Sequence, residues 1–313
     1  MKISLILPDP SMPRTVYYDQ FCRLVTQNSR YVPDPAAADV VFPAEDTAVE
    51  TNCPRYGNAP SAYIRGQMDL QAVMNYLSRL AATPLSGQVC IPSFHPAIRL
   101  TQALAQRPGY IIADLNLHRW ERAQNPRSVS MLALPIISSR NPPGNKTILA
   151  SFRGAASHPC RFALQKIHDG TTIICQLIDP ANHKNLIDAT TGASDPLYSQ
   201  LLEQSIFAFV PRGDCMFSYR LAEVLSFGCI PVILSDGWVL PFDRSLPWDS
   251  FSLHFPEHEI PMLPAVLRAF PPARIQQMLT QARHIYQNRL SSLEAVLESL
   301  LQELELLVAP SGE

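Results

Sequence analysis

Residues 205–237 read SIFAFVPRGDCMFSYRLAEVLSFGCIPVILSDG, and this stretch decides the fold. Two apolar runs, Ile206–Val210 and Ile230–Leu234, are continuous rather than alternating, which is typical of parallel strands buried on both faces. Leucine and valine recur at helical spacing in Ser218–Phe227, between the two runs, and predict a short amphipathic helix. The stretch is therefore predicted to form one βαβ unit, whose first loop lies at the carboxyl edge of a parallel sheet.

Similar apolar runs and helical spacings continue on both sides of this unit. Further strands are predicted at Ile3–Leu7, Asp39–Phe42, Val89–Ile91, Tyr110–Ala113, Ile148–Phe152 and Thr172–Gln176. Helices are predicted at Thr15–Gln27, Asp69–Leu80 and Pro159–His168, with one or two more in 274–308. Strands that alternate with helices predict an α/β fold with parallel sheets.

The length of 313 residues exceeds what one hydrophobic core usually serves, so two domains are predicted. The richest turn sequence near the middle is SSRNPPGN at 138–145, where proline and glycine mark a linker. We therefore predict a first domain at 1–141, a second at 142–290, and a C-terminal helix and tail at 291–313.

The composition is that of a globular protein, because 47% of the residues are hydrophobic and 17% are charged. A net charge of -2 offers no basic face to a nucleic-acid backbone, so no nucleic-acid partner is expected. Seven scattered cysteines form no CxxC pair, which favours a reducing, cytoplasmic location and gives no sign of a zinc site. No run reaches the roughly 18 apolar residues of a transmembrane helix, although peripheral membrane association stays open.

The loop before the predicted helix is chemically suited to an anion. Unpaired N–H groups and the positive end of the helix dipole attract a diphosphate, and Arg212 can add a bidentate contact. Ser218 is the expected N-cap, and Gly228 is the expected residue that ends the helix. Arg220 and Glu223 are three residues apart, a spacing that also fits an ordinary surface salt bridge. Because helical side chains lean toward the N-terminal end, Glu223 could instead reach a ligand at the sheet edge.

Four stretches of the sequence carry a resemblance to a known family. The most specific is VPRGDCMFSYRLAEVLSFGCIPVILSDGWVLPF at 210–242, which is followed by LPWDSFSL at 246–253. Upstream lies KTILASFRG at 146–154, and DPAAADVVFP at 34–43 is the recognisable part of the first half. Together they resemble the exostosin family of glycosyltransferases, also described as glycosyltransferase family 47-like. So long an agreement is far more specific than a short glycine motif.

The resemblance implies a GT-B fold, in which two Rossmann-like domains with parallel sheets face each other across a cleft. It also implies a nucleotide-sugar donor, bound mainly by the second domain, and transfer that inverts the anomeric centre. A UDP-linked donor and an oligosaccharide or glycan-precursor acceptor are the expected partners. No Asp-x-Asp motif occurs in the sequence, so no metal cofactor is expected, and positive side chains would stabilise the leaving group.

Roles for the donor site follow residue by residue from the resemblance and from side-chain chemistry. Arg212 and Arg153 are the leading candidates for neutralising the departing diphosphate. Gly213 and Gly154 would let the backbone approach the phosphates closely. Ser218 either donates a hydrogen bond to a phosphate or caps its helix.

Three further residues are expected at the donor. By likeness to the family's Arg-x-x-Glu pattern, Arg220 and Glu223 should face it, with the Glu223 carboxylate accepting hydrogen bonds from the ribose hydroxyls. Asp236, at the end of the last strand in the opening stretch, is a candidate for contacting the sugar or the base. An ordinary turn is the alternative for Asp236, because Asp-Gly is a common turn pair.

Inversion requires a general base that removes the proton of the acceptor hydroxyl. The predicted strands of the first domain each end in an ionisable group, and these groups would line one edge of the sheet. Asp46 and His95 are the leading candidates for the catalytic base, while Asp9, Glu45 and Asp114 are the others. At each of these positions a purely structural role is the alternative.

Two other functions stay open from the sequence. A nucleotide-sugar epimerase on a GT-B-like scaffold would bind the same donor but need no acceptor. A non-catalytic partner that binds nucleotide sugars or glycans would keep the fold without turnover, and the divergence of the first domain allows this.

Overall fold

A computed structural model of the chain describes residues 1–6, 16–43, 85, 87–93, 109–134, 146–178 and 195–308. The chain divides into two compact units, the first formed by Met1–Met131 with Leu297–Glu313 and the second by Leu132–Val296. Each unit is built around a five-stranded sheet in which neighbouring strands run parallel. The predicted α/β fold class, with two units that are each built on a parallel sheet, is confirmed.

The first unit contains a sheet of strand order β1-β2-β3-β4-β5. Its strands are β1 (Ile3–Ile6), β2 (Val40–Pro43), β3 (Gln88–Ser93), β4 (Tyr110–Asp114) and β5 (Val129–Ser130). Its described helices are α1 (Val16–Gln27) and α2 (Arg119–Gln124), with a 3-10 turn at Pro35–Ala37. Every residue of β2 is buried, as a continuous apolar run predicts for a strand covered on both faces.

The second unit contains a sheet of strand order β10-β9-β8-β6-β7. Its strands are β6 (Ile148–Ala155), β7 (Ile173–Ile178), β8 (Ser205–Pro211), β9 (Ile230–Leu234) and β10 (Leu253–His254). Its helices are α3 (Pro159–Lys166), α4 (Pro196–Gln204), α5 (Arg220–Ser226), α6 (Leu263–Arg268) and α7 (Pro272–Ile285). Two 3-10 turns lie at Trp248–Ser250 and Glu257–Met262.

The opening stretch of sequence forms the predicted βαβ unit of β8, α5 and β9. Gly228 ends α5 as predicted, with a φ of +63° that favours glycine. The N–H of Gly228 donates to the carbonyl of Leu225 at 3.0 Å, and that of Cys229 donates to Val224 at 3.1 Å. These two bonds form a Schellman motif, which satisfies carbonyls at the end of the helix and turns the chain into β9.

The start of α5 was predicted wrongly, because Ser218 is not its N-cap. The helix begins at Arg220, and Tyr219 occupies the cap position without a side-chain capping bond. The buried Phe217 ring packs edge-on against the Tyr219 ring, with centroids 4.8 Å apart. This packing holds the residues before Arg220 in the loop, so α5 has only seven residues.

Strand β6 runs three residues further than predicted and ends at Ala155. The extension pairs with β7, where Arg153 lies opposite Gln176 and Gly154 opposite Leu177. Arg153 and Gly154 therefore lie within a paired strand.

The C-terminal segment forms two helices, as was open for 274–308, and the first begins two residues before that range. They are α7 and α8 (Leu293–Val308), and a π-helical turn at Tyr286–Leu290 joins them. The predicted helix Asp69–Leu80 lies outside the described residues. Across the described ranges, no helix combines the length and the apolar character needed to cross a membrane.

Helix α8 returns to the first unit, where it is held by polar contacts. Glu298 accepts hydrogen bonds from Asn28 at 2.6 Å and from Arg30 at 2.9 Å. The apolar stripe predicted for this helix is buried, with Leu300, Leu301 and Leu304 each almost inaccessible to solvent. The stripe is therefore core packing, as its helical spacing predicts.

Candidate active site

The donor-side residues predicted from the sequence lie on neighbouring strands of the second unit. Gly154 lies near the end of β6, Arg212 and Gly213 directly follow β8, and Asp236 follows β9. Strands β6, β8 and β9 are neighbours in the sheet and run parallel. Their carboxyl ends therefore meet at one edge, which is where open α/β sheets bind ligands.

Arg220 is the most unusual side chain at this edge. It is only 9% exposed, and its guanidinium lies between two aromatic rings, 4.8 Å from the centroid of Phe152 and 4.7 Å from that of Tyr198. Its buried Nε and Nη1 atoms have no hydrogen-bond partner among the described residues. Cation–π contacts compensate part of the lost hydration, but buried donors are normally hydrogen-bonded. Such a side chain is suited to an anionic ligand that supplies the missing acceptors.

Gly154 makes room for this arginine. A β-carbon at position 154 would lie 2.6 Å from Nη2 of Arg220 and 3.1 Å from Cζ of Phe152. No carbon atom can stand so close, so the absence of a side chain here lets the guanidinium occupy its position. Gly154 is therefore in close contact with Arg220.

Glu223 is held in place by a hydrogen bond from Tyr198 of helix α4. The carboxylate is 5% exposed and its Oε2 accepts a hydrogen bond from the Tyr198 hydroxyl at 2.6 Å. Burial raises the pKa of Tyr198 well above its ordinary value, so the hydroxyl remains a donor. Because Arg220 and Glu223 are both buried, the alternative of an exposed surface salt bridge between them does not apply.

Arg161 belongs to the same site, although the sequence did not single it out. It lies in the first turn of α3, and its guanidinium stands 5.7 Å from the Phe152 ring centroid. Its Nε donates to the Arg212 carbonyl at 2.9 Å, and its Nη1 donates to the Ala155 carbonyl at 3.0 Å. Burial lowers the pKa of Arg161 to about 10, with the charge of Arg220 as the next cause. The charge of Arg220 therefore lies close enough to Arg161 to contribute to this shift.

Arg212 completes a group that we call the arginine cluster, defined as Arg161, Arg212 and Arg220. The Arg212 N–H donates to the carbonyl of Leu234 at 3.0 Å, which fixes its backbone to β9. Its partly exposed guanidinium makes a long 3.4 Å contact from Nε to the Gly213 carbonyl. Three guanidinium groups at one sheet edge provide the charge and the donor geometry that a diphosphate requires.

Arg153 makes a different set of contacts. Its guanidinium donates to the Asp195 carboxylate at 2.6 and 2.9 Å and to Gln176 at 2.9 Å. Asp195 also accepts the N–H of Leu197 at 2.9 Å and so caps α4. The positive charge of Arg153 is thus balanced within the protein, unlike that of Arg220.

The remaining two donor-side candidates lie in loops. Ser218 is partly exposed, and its carbonyl accepts the N–H of Leu221 at 3.1 Å. Asp236 is exposed and exchanges hydrogen bonds with Glu257, at 3.0 Å through its carboxylate and at 3.3 Å through its N–H. Gly237 follows with a φ of +86°, so this segment also forms the turn that Asp-Gly predicts.

Comparison with models of known protein families shows which family this chain belongs to. The family model described as "Exostosin GT47 domain" matches residues 90–270, which is more than half of the 313-residue chain. The chain belongs to the exostosin GT47 family. The matched region contains the arginine cluster and every donor-side residue predicted from the sequence.

Individual relatives of this exostosin GT47 chain are longer than the regions matched. It is similar to Exostosin-1 of Drosophila melanogaster, with 30% identity over 174 residues that cover 51% of this chain and 23% of that protein. A "Probable glucuronosyltransferase" of Oryza sativa subsp. japonica is 40% identical over 92 residues, 29% of this chain and 22% of that protein. The crystal structure of WaaG, a glycosyltransferase involved in lipopolysaccharide biosynthesis, aligns with 98% of this chain and 100% of its own, with a TM-score of 0.44 and 10% identity. The chain thus spans less than a quarter of the two sequence relatives.

Candidates for the catalytic base of this exostosin GT47 chain lie in the first unit. Asp46 and His95 are outside the described residues, as are Asp9 and Glu45. Asp114 ends β4, is 3% exposed, and accepts the N–H of Asn116 at 2.9 Å. Burial raises the pKa of Asp114 to about 7, although the Asn116 N–H opposes the shift. A carboxyl that titrates near neutral pH has the property required of a general base.

Replacing Asp114 with asparagine is expected to flatten the dependence of stability on pH. Burial raises the folded-state pKa from 3.8 to about 7. The protonated carboxyl therefore stabilises the fold below about pH 4, and this contribution is lost as the pH rises through about 7. Thermal unfolding followed across this range should show a smaller fall in Tm for Asp114→Asn, whose amide oxygen can still accept the Asn116 N–H. Parallel curves for the two proteins would mean that the pKa of Asp114 is not raised in the folded state.

Proposed function

We propose that this chain transfers a sugar from a nucleotide-diphosphate donor, UDP-linked, to an oligosaccharide or glycan-precursor acceptor. The observation that carries the proposal is the buried guanidinium of Arg220, whose Nε and Nη1 lack partners among the described residues, at a sheet edge shared with Arg161 and Arg212. Membership of the exostosin GT47 family supports the same activity.

In the proposed reaction, the bond between the sugar and the diphosphate breaks and negative charge grows on the leaving oxygen. The arginine cluster is already in place to stabilise this charge, so little reorganisation is needed at the moment of reaction. Glu223, anchored through Oε2 by Tyr198, has a second carboxylate oxygen that can accept a hydrogen bond from a ribose hydroxyl.

The acceptor half of the proposed reaction needs a general base. Inversion requires the acceptor oxygen to attack opposite the leaving diphosphate while the base takes its proton. We assign this step to a residue of the first unit. Asp46 and His95 are the leading candidates, and Asp114 is the alternative that lies among the residues described by the structure. The raised pKa of Asp114 supports its inclusion, because the ionised form is present at neutral pH and can accept a proton.

The proposed transfer does not depend on a divalent metal ion. The sequence contains no Asp-x-Asp motif, whose paired carboxylates hold a metal and a diphosphate in metal-dependent transferases. Positive charge from the arginine cluster takes the same role toward the leaving group. The assay below is therefore run with and without added Mn²⁺, and equal rates are expected.

Release of UDP from a panel of UDP-sugars, measured with and without glycan fragments, tests the proposed function. Arg212→Ala is expected to lower kcat/KM about tenfold, since one charge-assisted hydrogen bond is worth roughly 1.5–3 kcal/mol. Arg268→Ala is the matched control, because this half-exposed arginine pairs with Asp169 on the surface of the same unit. Unchanged activity in Arg212→Ala would remove its assignment to the diphosphate.

The same assay separates the alternative functions. A nucleotide-sugar epimerase would interconvert UDP-sugars without releasing UDP. A non-catalytic binding partner would be stabilised by donors against thermal unfolding and would turn over none of them. Either result would overturn the proposal of sugar transfer.

A further inference from the structure

Three side chains with metal-ligating atoms meet at the start of α3. His158 and Cys160 flank the first residue of the helix, and Glu257 begins the 3-10 turn that follows β10. The Nδ1 atom of His158 lies 3.1 Å from Sγ of Cys160 and 3.7 Å from Oε2 of Glu257. All three ligating atoms lie within 4.8 Å of one another. The imidazole, thiol and carboxylate therefore converge on one point.

The separations are close to those of ligands around a tetrahedral zinc ion. Zinc binds nitrogen and oxygen at about 2.0–2.2 Å and sulfur at about 2.3 Å, so two ligating atoms in a tetrahedral site lie roughly 3.3–3.6 Å apart. The two distances from Nδ1 of His158 bracket this range, and the Cys160 sulfur and a Glu257 carboxylate oxygen lie within 4.8 Å of each other.

We propose that His158, Cys160 and Glu257 bind a zinc ion through Nδ1, Sγ and a carboxylate oxygen, with water in the fourth position. Metal binding would release one proton, from the Cys160 thiol to solvent, as the sulfur–zinc bond forms. The thiolate and the carboxylate together balance the two positive charges of the ion. Imidazole and thiolate ligands favour zinc over Mg²⁺ or Mn²⁺, which prefer oxygen.

The charges around the three side chains are compatible with this assignment. Burial lowers the pKa of His158, and Arg212 lowers it further, so the imidazole is neutral and keeps a lone pair for a metal. Burial raises the pKa of Cys160 to about 12, and the Glu257 charge adds to the shift. A bound divalent cation would replace the thiol proton and offset the charge of the neighbouring carboxylate.

The existing contacts of these side chains are weak enough for a metal to replace. The Cys160 N–H lies 3.4 Å from Nδ1 of His158, which is long for a hydrogen bond. The Cys160 thiol lies 3.8 Å from the Arg212 carbonyl. No CxxC pair marks this site in the sequence, because its ligands are a His-x-Cys pair and a glutamate far along the chain.

Zinc at this position would act by holding elements together. It would join the start of α3 to the turn after β10, and Arg161 is the residue next to Cys160. The ion would thus fix the backbone next to one member of the arginine cluster. The zinc site is argued from these three ligands alone and does not depend on sugar transfer.

Cobalt titration of the full chain, after removal of bound metal with a chelator, tests the site. Co²⁺ is expected to bind one per chain, with the intense visible bands of a tetrahedral site and a thiolate-to-cobalt charge-transfer band in the near ultraviolet. Added Zn²⁺ should bleach these bands. Cys160→Ser should abolish the charge-transfer band, while Cys175→Ser, a buried cysteine in β7 outside the three-residue group, should keep it.

A second variant guards against misfolding of Cys160→Ser. Glu257→Gln is expected to keep the thiolate band but to lower Co²⁺ affinity by at least about tenfold. The proposal would be overturned by wild-type protein that gives no charge-transfer band, or by Cys160→Ser and Glu257→Gln variants that bind cobalt like the wild type. None of these cobalt-binding measurements uses a sugar donor, so failure of the transferase proposal would leave their outcome unaffected.

Discussion

Replacing Arg220 with methionine is expected to weaken UDP binding about 100-fold, a loss of about 2.8 kcal/mol, and to leave the Tm of the free protein unchanged or raised. Two buried guanidinium nitrogens have no partner among the described residues, so this charge costs stability until an anion binds. Methionine fills a similar volume between Phe152 and Tyr198 and needs no hydrogen bonds. Titration calorimetry with UDP and thermal unfolding without it measure the two effects.

Arg153→Met is the matched control for this experiment. Arg153 lies in the same unit but pairs with Asp195 at 2.6 Å, and both side chains are about one-fifth exposed. Removing it leaves Asp195 uncompensated at the start of α4, so the Tm should fall by an amount corresponding to about 2 kcal/mol, less than for a fully buried pair. If Arg220→Met lost as much stability as Arg153→Met and still bound UDP normally, Arg220 would be a structural residue.

The strands that position the site could be predicted from the sequence because their apolar runs are continuous and end in turn residues. Strand β9 occupies the predicted Ile230–Leu234, between the helix-ending Gly228 and the Ser235 turn. Two strands were not predicted, β5 and β10, because a two-residue strand is too short to show periodicity. The fold class depended on the long runs alone.

The chemistry of the site was less predictable, because it depends on which arginine finds a partner within the protein. Arg153 and Arg220 have the same charge, but Asp195 pairs with the first, whereas Nε and Nη1 of the second have no hydrogen-bond partner among the described residues. Asp195 caps a helix that the sequence did not predict. Arg161 was missed for a related reason. Its role is visible only once α3 is known to begin at the same sheet edge as the loop after β8, where the Arg212 carbonyl accepts its Nε.

The position of Gly154 in β6 allows a second test of Arg220, one that removes no charge from the site. Gly154→Ala is expected to weaken UDP binding about 30-fold, because the new β-carbon would lie 2.6 Å from Nη2 of Arg220. The guanidinium is held between Phe152 and Tyr198, and Phe152 itself would lie 3.1 Å from that carbon, so Arg220 must leave its position. A 30-fold loss of affinity corresponds to about 2 kcal/mol of binding free energy.

Gly213→Ala is the graded control for Gly154→Ala. Its β-carbon would lie 3.0 Å from Nη2 of Arg161, a contact that a few tenths of an ångström would relieve. We therefore expect a loss of UDP affinity only a few-fold in size, measured by the same calorimetry. If the two alanines had equal effects, the backbone at both glycines would be contacting the phosphates directly. A large loss of UDP affinity in Gly154→Ala alone would instead show that Gly154 acts through Arg220. The two glycines differ in this respect, because only Gly154 would clash with Arg220 if it carried a β-carbon.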